Sequence, residues 1–216
     1  MSTSNEPHLP QEYIAMTYPP FFDEAPEITV RDALAEFLGA SAGGIMTYRY
    51  IDAVRLAGHS CPTVAGAYLM TRQALQLLYP GQVAERGAIR VSFADAQDEG
   101  VTGVIGSVVG LVTGAAGIGG FKGIAGHFRR QNLLQFGADV KAQARFERTD
   151  TGATVDLKMQ IGRVPADPRM SGLLQKALSG QATAEEAQEF AALWQERVRR
   201  ILTEHADDPD LIVATC

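Results

Sequence analysis

Between Val101 and Phe121 the chain carries no charged side chain. A run of that length either crosses a bilayer or is buried inside a protein, because about 20 apolar residues match the hydrocarbon thickness. The spacing Gly106-x-x-x-Gly110-x-x-x-Gly114 would suit close helix association in lipid. The seven glycines of the segment argue the other way. Each glycine in a helix interior costs about 1 kcal/mol relative to alanine. Gly117-Ile118-Gly119-Gly120 reads as a loop, and the apolar stretch that remains, to Val112, is too short to span. The expectation is a buried helix followed by a glycine-rich turn, with no membrane partner.

Burying such a helix needs a core, which 216 residues with 46% hydrophobic content can supply. The formal charge is −6, and Arg and Lys are scattered apart from pairs such as Arg129-Arg130 and Arg199-Arg200. Nucleic acid is not expected as a partner, because phosphate neutralisation needs a concentrated basic surface. The two cysteines, Cys61 and Cys216, cannot build a disulfide framework, so a reducing, cytoplasmic setting is expected. Residues 1–28 hold Pro7, Pro10, Pro19, Pro20 and Pro26 among acidic residues and lack the basic start and apolar run of a secretory signal. They read as a proline-rich arm lying on the surface.

Val30, Leu34, Phe37 and Leu38 fall at helical spacing, and Gly39 ends that helix. Ile45 to Leu56 alternates loosely and is rich in aromatic and branched residues, which predicts a strand that delivers His59 to its end. Pro62 suits the first turn of a helix that runs to Leu78 and stops at Tyr79-Pro80-Gly81, so Cys61 is expected at a helix N-terminus. Ile89 to Phe93 alternates as a half-buried strand, and Asp95, Asp98 and Glu99 follow it. Ala138–Phe146 and Thr154–Ile161 are predicted as an antiparallel pair joined through Asp150-Thr151-Gly152. Pro168 and Ser171 open a short helix to Leu178, and Thr183-Ala184-Glu185-Glu186 supplies a capping box for the last long one. Ala187, Phe190, Ala191, Trp194, Val198, Ile201 and Leu202 then line one face, for packing against the core or a second protomer.

These elements predict an α+β chain with a mixed sheet of about four to five strands, flanking helices and a C-terminal helical pair. The expected organisation is the arm over 1–28, an α+β core over 29–165 and a helical segment over 166–216. That segment would pack on the core or build a homodimer.

Chemistry is expected at Gly58-His59-Ser60-Cys61-Pro62. A cysteine at a helix N-terminus meets unpaired backbone N–H groups and the positive end of the helix dipole, both of which favour a thiolate. If the stretch is extended, the His59 ring points to the same side as Cys61, as a shared-metal or proton-exchanging pair requires. A buried structural cysteine is the competing reading, since free cysteine is among the most buried residue types and His-x-Cys is a short pattern.

Gly58-His59-Ser60-Cys61-Pro62, with Gly66, Tyr68 and an apolar helix after it, resembles the Gly-His-x-Cys-Pro signature of the FmdE family of formylmethanofuran dehydrogenase proteins. Asp95-Ala96-Gln97-Asp98, Thr113-Gly114 and the glycine-rich run to Gly123 resemble that family's later region in the same order. The resemblance spans roughly residues 45 to 160. It implies an α+β core in which His59 and Cys61 line the active site and bind a metal ion, zinc first. It also implies a setting in one-carbon or molybdenum-enzyme metabolism. The chain departs from the family where relatives carry a further histidine, here Ala57, and a further cysteine, here Ala115. Thr63 stands where relatives carry glycine, and the terminal cysteine-rich module of some relatives is missing.

His127 is the candidate for a third metal ligand, because it follows the glycine-rich loop; a surface histidine is the alternative. Asp95 and Asp98 are candidates for oxygen ligands, for partners of His59 or for a general base, and Asp98 alternatively for a helix N-cap. Lys122 with Arg129-Arg130 would hold an anionic group of a small-molecule substrate, or else line a solvated loop. No phosphate-loop or complete dinucleotide pattern accompanies Gly117-Ile118-Gly119-Gly120. Three functions follow: metal-assisted chemistry at Cys61 and His59, a metal-free Cys61 nucleophile with His59 as its base, or a non-catalytic accessory subunit or metallochaperone docking through the Trp194 face.

Overall fold

In the computed structural model, which describes residues 18–215, the elements in chain order are β1 (Ile28–Arg31), α1 (Ala33–Phe37), β2 (Ile45–Tyr48), α2 (Tyr50–Ala57) and α3 (Pro62–Leu78). There follow β3 (Ala84–Glu85), β4 (Ile89–Phe93), α4 (Thr102–Thr113), β5 (Leu134–Gln135), β6 (Ala144–Arg148) and β7 (Thr154–Met159). The chain ends with α5 (Met170–Leu178), α6 (Ala184–Thr203) and β8 (Ile212–Thr215). One sheet has the order β2-β1-β3 and the other β5-β4-β6-β7-β8. β5 runs parallel to β4 and the other pairs of that sheet are antiparallel, so the fold is α+β with a mixed five-stranded sheet. A second, three-stranded sheet accompanies it, which the sequence pattern does not predict.

Helix α3 is the hub. Twelve of its 17 residues are buried, so it has no solvent face over most of its length. It packs on α2, α4, α6 and β7. Gly66 allows the closest approach, since a Cβ there would lie 2.5 Å from Ile161 Cδ1 and 2.9 Å from Met159 Sδ. The uncharged segment forms α4, whose buried residues include Ile105, Val108, Val109 and Val112, and its glycines let Phe136 and the Ala115 carbonyl approach. Among the described residues no helix is long and apolar enough to cross a membrane.

Several local expectations are corrected. The helix predicted from Val30 to Leu38 divides into β1 and α1, because the Asp32 carboxylate accepts the Leu34 and Ala35 N–H groups and starts the helix there. The strand predicted over Ile45–Leu56 keeps only its first four residues. Asp52 accepts the Arg49 N–H and opens α2, whose Tyr50, Ala53 and Val54 are buried at helical spacing. Strand β6 begins at Ala144 rather than at Ala138. Strand β8 lies within a segment expected to be helical.

Of the proline-rich arm, residues 1–17, including His8, lie outside the described residues. Its described remainder is no surface strap, since Phe21 and Phe22 enter the core and Phe22 meets the Tyr50 ring edge-on. The face of α6 turns to its own core through Val198, Ile201 and Leu202, while Ala187 and Ala191 stay exposed.

Candidate functional site

Gly58 closes α2 in the left-handed conformation, φ 75°, which glycine adopts without a Cβ penalty. Two residues, His59 and Ser60, then bridge to Cys61, the N-cap of α3. Cys61 is extended, with φ −150° and ψ 166°, and its Sγ accepts the Val64 N–H at 3.4 Å. Pro62 stands at the first helical position, where a missing N–H costs nothing. The expected position of Cys61 is thus found, although a helix and not a strand leads into it. Cys61 is 8% exposed and belongs to the buried core cluster.

His59 is exposed, and its Nδ1 lies 2.9 Å from the Ala57 carbonyl oxygen. A carbonyl only accepts, so Nδ1 is the donor in this bond, and in the neutral imidazole Nε2 is then the nitrogen that keeps its lone pair. That tautomer suits a base or a metal ligand. The ring is anchored within its own turn, which leaves its reactive nitrogen free.

Ser60, between the two, is held from the far end of the chain. Trp194 Nε1 and Gln195 Nε2 both donate to the Ser60 carbonyl oxygen, at 2.9 and 3.2 Å. The Ser60 hydroxyl donates to Gln195 Oε1 at 2.9 Å. Its only hydrogen being used there, it accepts from the Tyr50 hydroxyl 3.0 Å away. Tyr50 is fully buried, and burial, with the nearby Cys61 adding to it, raises its phenol well above the ordinary range. Tyr50, Ser60, Trp194 and Gln195 were not foreseen as site residues. No local pattern could have joined Ser60 to residues 134 and 135 positions away.

The remaining candidates lie elsewhere in the fold. Asp95 and Asp98 are exposed in the β4–α4 connection, and the N-cap of α4 is Val101, so Asp98 does not cap that helix. His127 and Lys122 are exposed on the glycine-rich loop, where His127 and Ile124 exchange backbone hydrogen bonds at 2.9 Å. Arg130, expected beside Lys122 as an anion holder, is instead buried and donates to Asp32 Oδ1 at 2.5 Å. Among the described residues no three His, Cys, Asp or Glu side chains converge as a metal-binding group. Structural zinc takes four protein ligands and catalytic zinc three, so Cys61 and His59 do not fit a zinc shell supplied by the described residues.

The arrangement therefore offers a thiol seated on a helix N-terminus, an imidazole two residues earlier with a free Nε2, and a polar network gripping the residue between them. A family model described as FmdE, Molybdenum formylmethanofuran dehydrogenase operon, matches residues 56–208, a span that includes this segment and helices α3 to α6. Comparison with curated proteins and with solved structures finds no match.

Proposed function

Since this chain belongs to the FmdE family, we propose that it serves the chemistry around a molybdenum-dependent one-carbon enzyme through a reactive thiol. Cys61 is the nucleophile and His59 the group that takes and returns its proton. The capping of α3 by Cys61 Sγ carries this assignment. A sulfur in that position faces the N–H groups of the first turn and the positive end of the helix. The same donors would stabilise negative charge developing on a substrate beside the sulfur. His59 Nε2, the acceptor nitrogen of the neutral tautomer whose Nδ1 donates to the Ala57 carbonyl, supplies the base.

The test uses the full chain with Cys216→Ser, so that Cys61 is the remaining thiol, treated with a chelator and alkylated with iodoacetamide at pH 7. Cys61 is expected to react about 10-fold faster than free cysteine, which is only a few per cent thiolate at that pH. His59→Gln is expected to slow it several-fold. A rate no higher than that of free cysteine overturns the assignment. Near-stoichiometric zinc in untagged protein, lost on Cys61→Ser, would overturn it in favour of metal ligation by the same pair, which the His59 tautomer also suits.

A further inference from the structure

We infer that Trp194 and Gln195 of α6 are positioning residues for Cys61, acting on it through the carbonyl and hydroxyl of Ser60. This rests on Cys61 being the reactive group. The Ser60 carbonyl belongs to the peptide that joins Ser60 to Cys61, and a peptide unit is planar. Holding its oxygen therefore holds the Cys61 nitrogen and Cα, and with them the direction in which the thiol leaves the backbone. Two N–H donors, from Trp194 and Gln195, converge on that one oxygen and use its acceptor capacity.

Gln195 grips Ser60 at both ends of its amide, donating to the carbonyl and accepting from the hydroxyl. Tyr50 completes the chain by donating to Ser60 from the buried side. Every polar group of the set has a partner, so the two-residue bridge between α2 and α3 is clamped between a fully buried tyrosine and α6. The clamp adds to the restraints at the linker's own ends, where Gly58 caps α2, His59 bonds to the Ala57 carbonyl and Cys61 caps α3. The Sγ to Val64 N–H bond depends on the extended backbone of Cys61 that the clamp maintains.

The attachment of α6 to the core does not rest on these hydrogen bonds alone, since the Trp194 ring itself packs against the core. Val198, Ile201 and Leu202, further along the helix, are fully buried and supply the apolar anchorage. A polar grip on the residue preceding the thiol is therefore best explained by what it does to the thiol.

The experiment measures iodoacetamide alkylation of Cys61 at pH 7 in the full chain carrying Cys216→Ser, alongside thermal unfolding. Trp194→Phe, which keeps a ring but removes the N–H, is expected to slow Cys61 about five-fold, the order of one neutral hydrogen bond, and Gln195→Ala, which removes two bonds, at least as much. Their combination should be non-additive, because the two donors share one carbonyl. Ser60→Ala should slow it similarly, and Ser60→Thr, which restores the hydroxyl, should recover the parent rate within about two-fold. Ile201→Val is the packing control and should lower the unfolding temperature while leaving the rate unchanged.

Parent-like rates in both Trp194→Phe and Gln195→Ala overturn the inference, as does an Ile201→Val protein slowed equally. Should Trp194→Phe fail to fold, Gln195→Ala with the Ser60 pair decides. A parent rate equal to that of free cysteine removes the thiol assignment itself. A fast parent unaffected by the variants removes only the positioning role.

Discussion

Four donors converge on Asp32, a carboxylate with only 3% of its surface exposed. The Leu34 and Ala35 N–H groups and Arg130 Nη2 reach Oδ1, and Arg86 Nη1 reaches Oδ2 at 2.7 Å. Burial pushes this carboxyl up, but the guanidinium groups of Arg86 and Arg130 and the helix N–H outweigh it, and its pKa lies below the ordinary value. A depressed folded-state value means that its contribution to stability is complete above the unfolded value of about 3.9 and is lost as pH falls through the folded one. The stability gap between the native protein and Asp32→Asn should therefore be largest near neutrality and narrow on acidification below about pH 4, read by urea unfolding at several pH values. Asp32→Ala should cost about 3–5 kcal/mol at pH 7, because it leaves buried guanidinium charge without its partner. The N-cap role of Cys61 was legible at this same scale, since Gly58 and Pro62 bracket it in sequence and each has one backbone preference. Gln195 and Tyr50 were not legible, because nothing in their own neighbourhoods marks them.

Glycines inside helices separate two physical cases. In α4, a Cβ on Gly106 would lie 2.7 Å from Phe136 Cζ, and that ring is stacked against Phe93 with centroids 5.3 Å apart. Gly106→Ala gains about 1 kcal/mol of helix propensity but overpacks a fully buried site at a cost of about 1–3 kcal/mol, so a net loss of up to about 2 kcal/mol is expected. In α5, Gly172 is exposed, and a Cβ there would meet nothing within 4 Å. Gly172→Ala should stabilise by about 0.5–1 kcal/mol. Thermal unfolding of the two variants should shift in opposite directions, and shifts of one sign would contradict the packing argument. Element type was legible in α3, α4, α6 and the β6–β7 hairpin, where a cap or breaker agreed with the apolar spacing. It failed over Ile45–Leu56, where branched and aromatic residues suggest strand. There Asp52 supplies the N-terminal hydrogen bond of a helix, and the same residues bury one helical face.

Across the whole molecule, the C-terminal strand closes the larger sheet. β8 pairs with β7 from Ile212↔Met159 to Thr215↔Asp156, and Ile212 is 2% exposed. Deleting residues 212–216 should lower the unfolding free energy by about 1.5–3 kcal/mol, the burial of one aliphatic side chain, and leave β7 as an unpaired edge. Urea unfolding should show a lower midpoint for the truncated protein, and an unchanged midpoint would mean that β8 contributes nothing to the fold. By itself the sequence determined the α+β class, the burial of the uncharged segment and the seat of Cys61 on a helix N-terminus. Those follow from composition, periodicity and capping, which act over a few residues at a time. Only the tertiary structure decided that the strands divide into two sheets, that Asp95, Asp98 and His127 do not join Cys61 and His59 in one cluster, and that α6 reaches back to hold Ser60. Such outcomes depend on which distant surfaces are buried together, and the energy of that choice resides in contacts between residues more than a hundred positions apart.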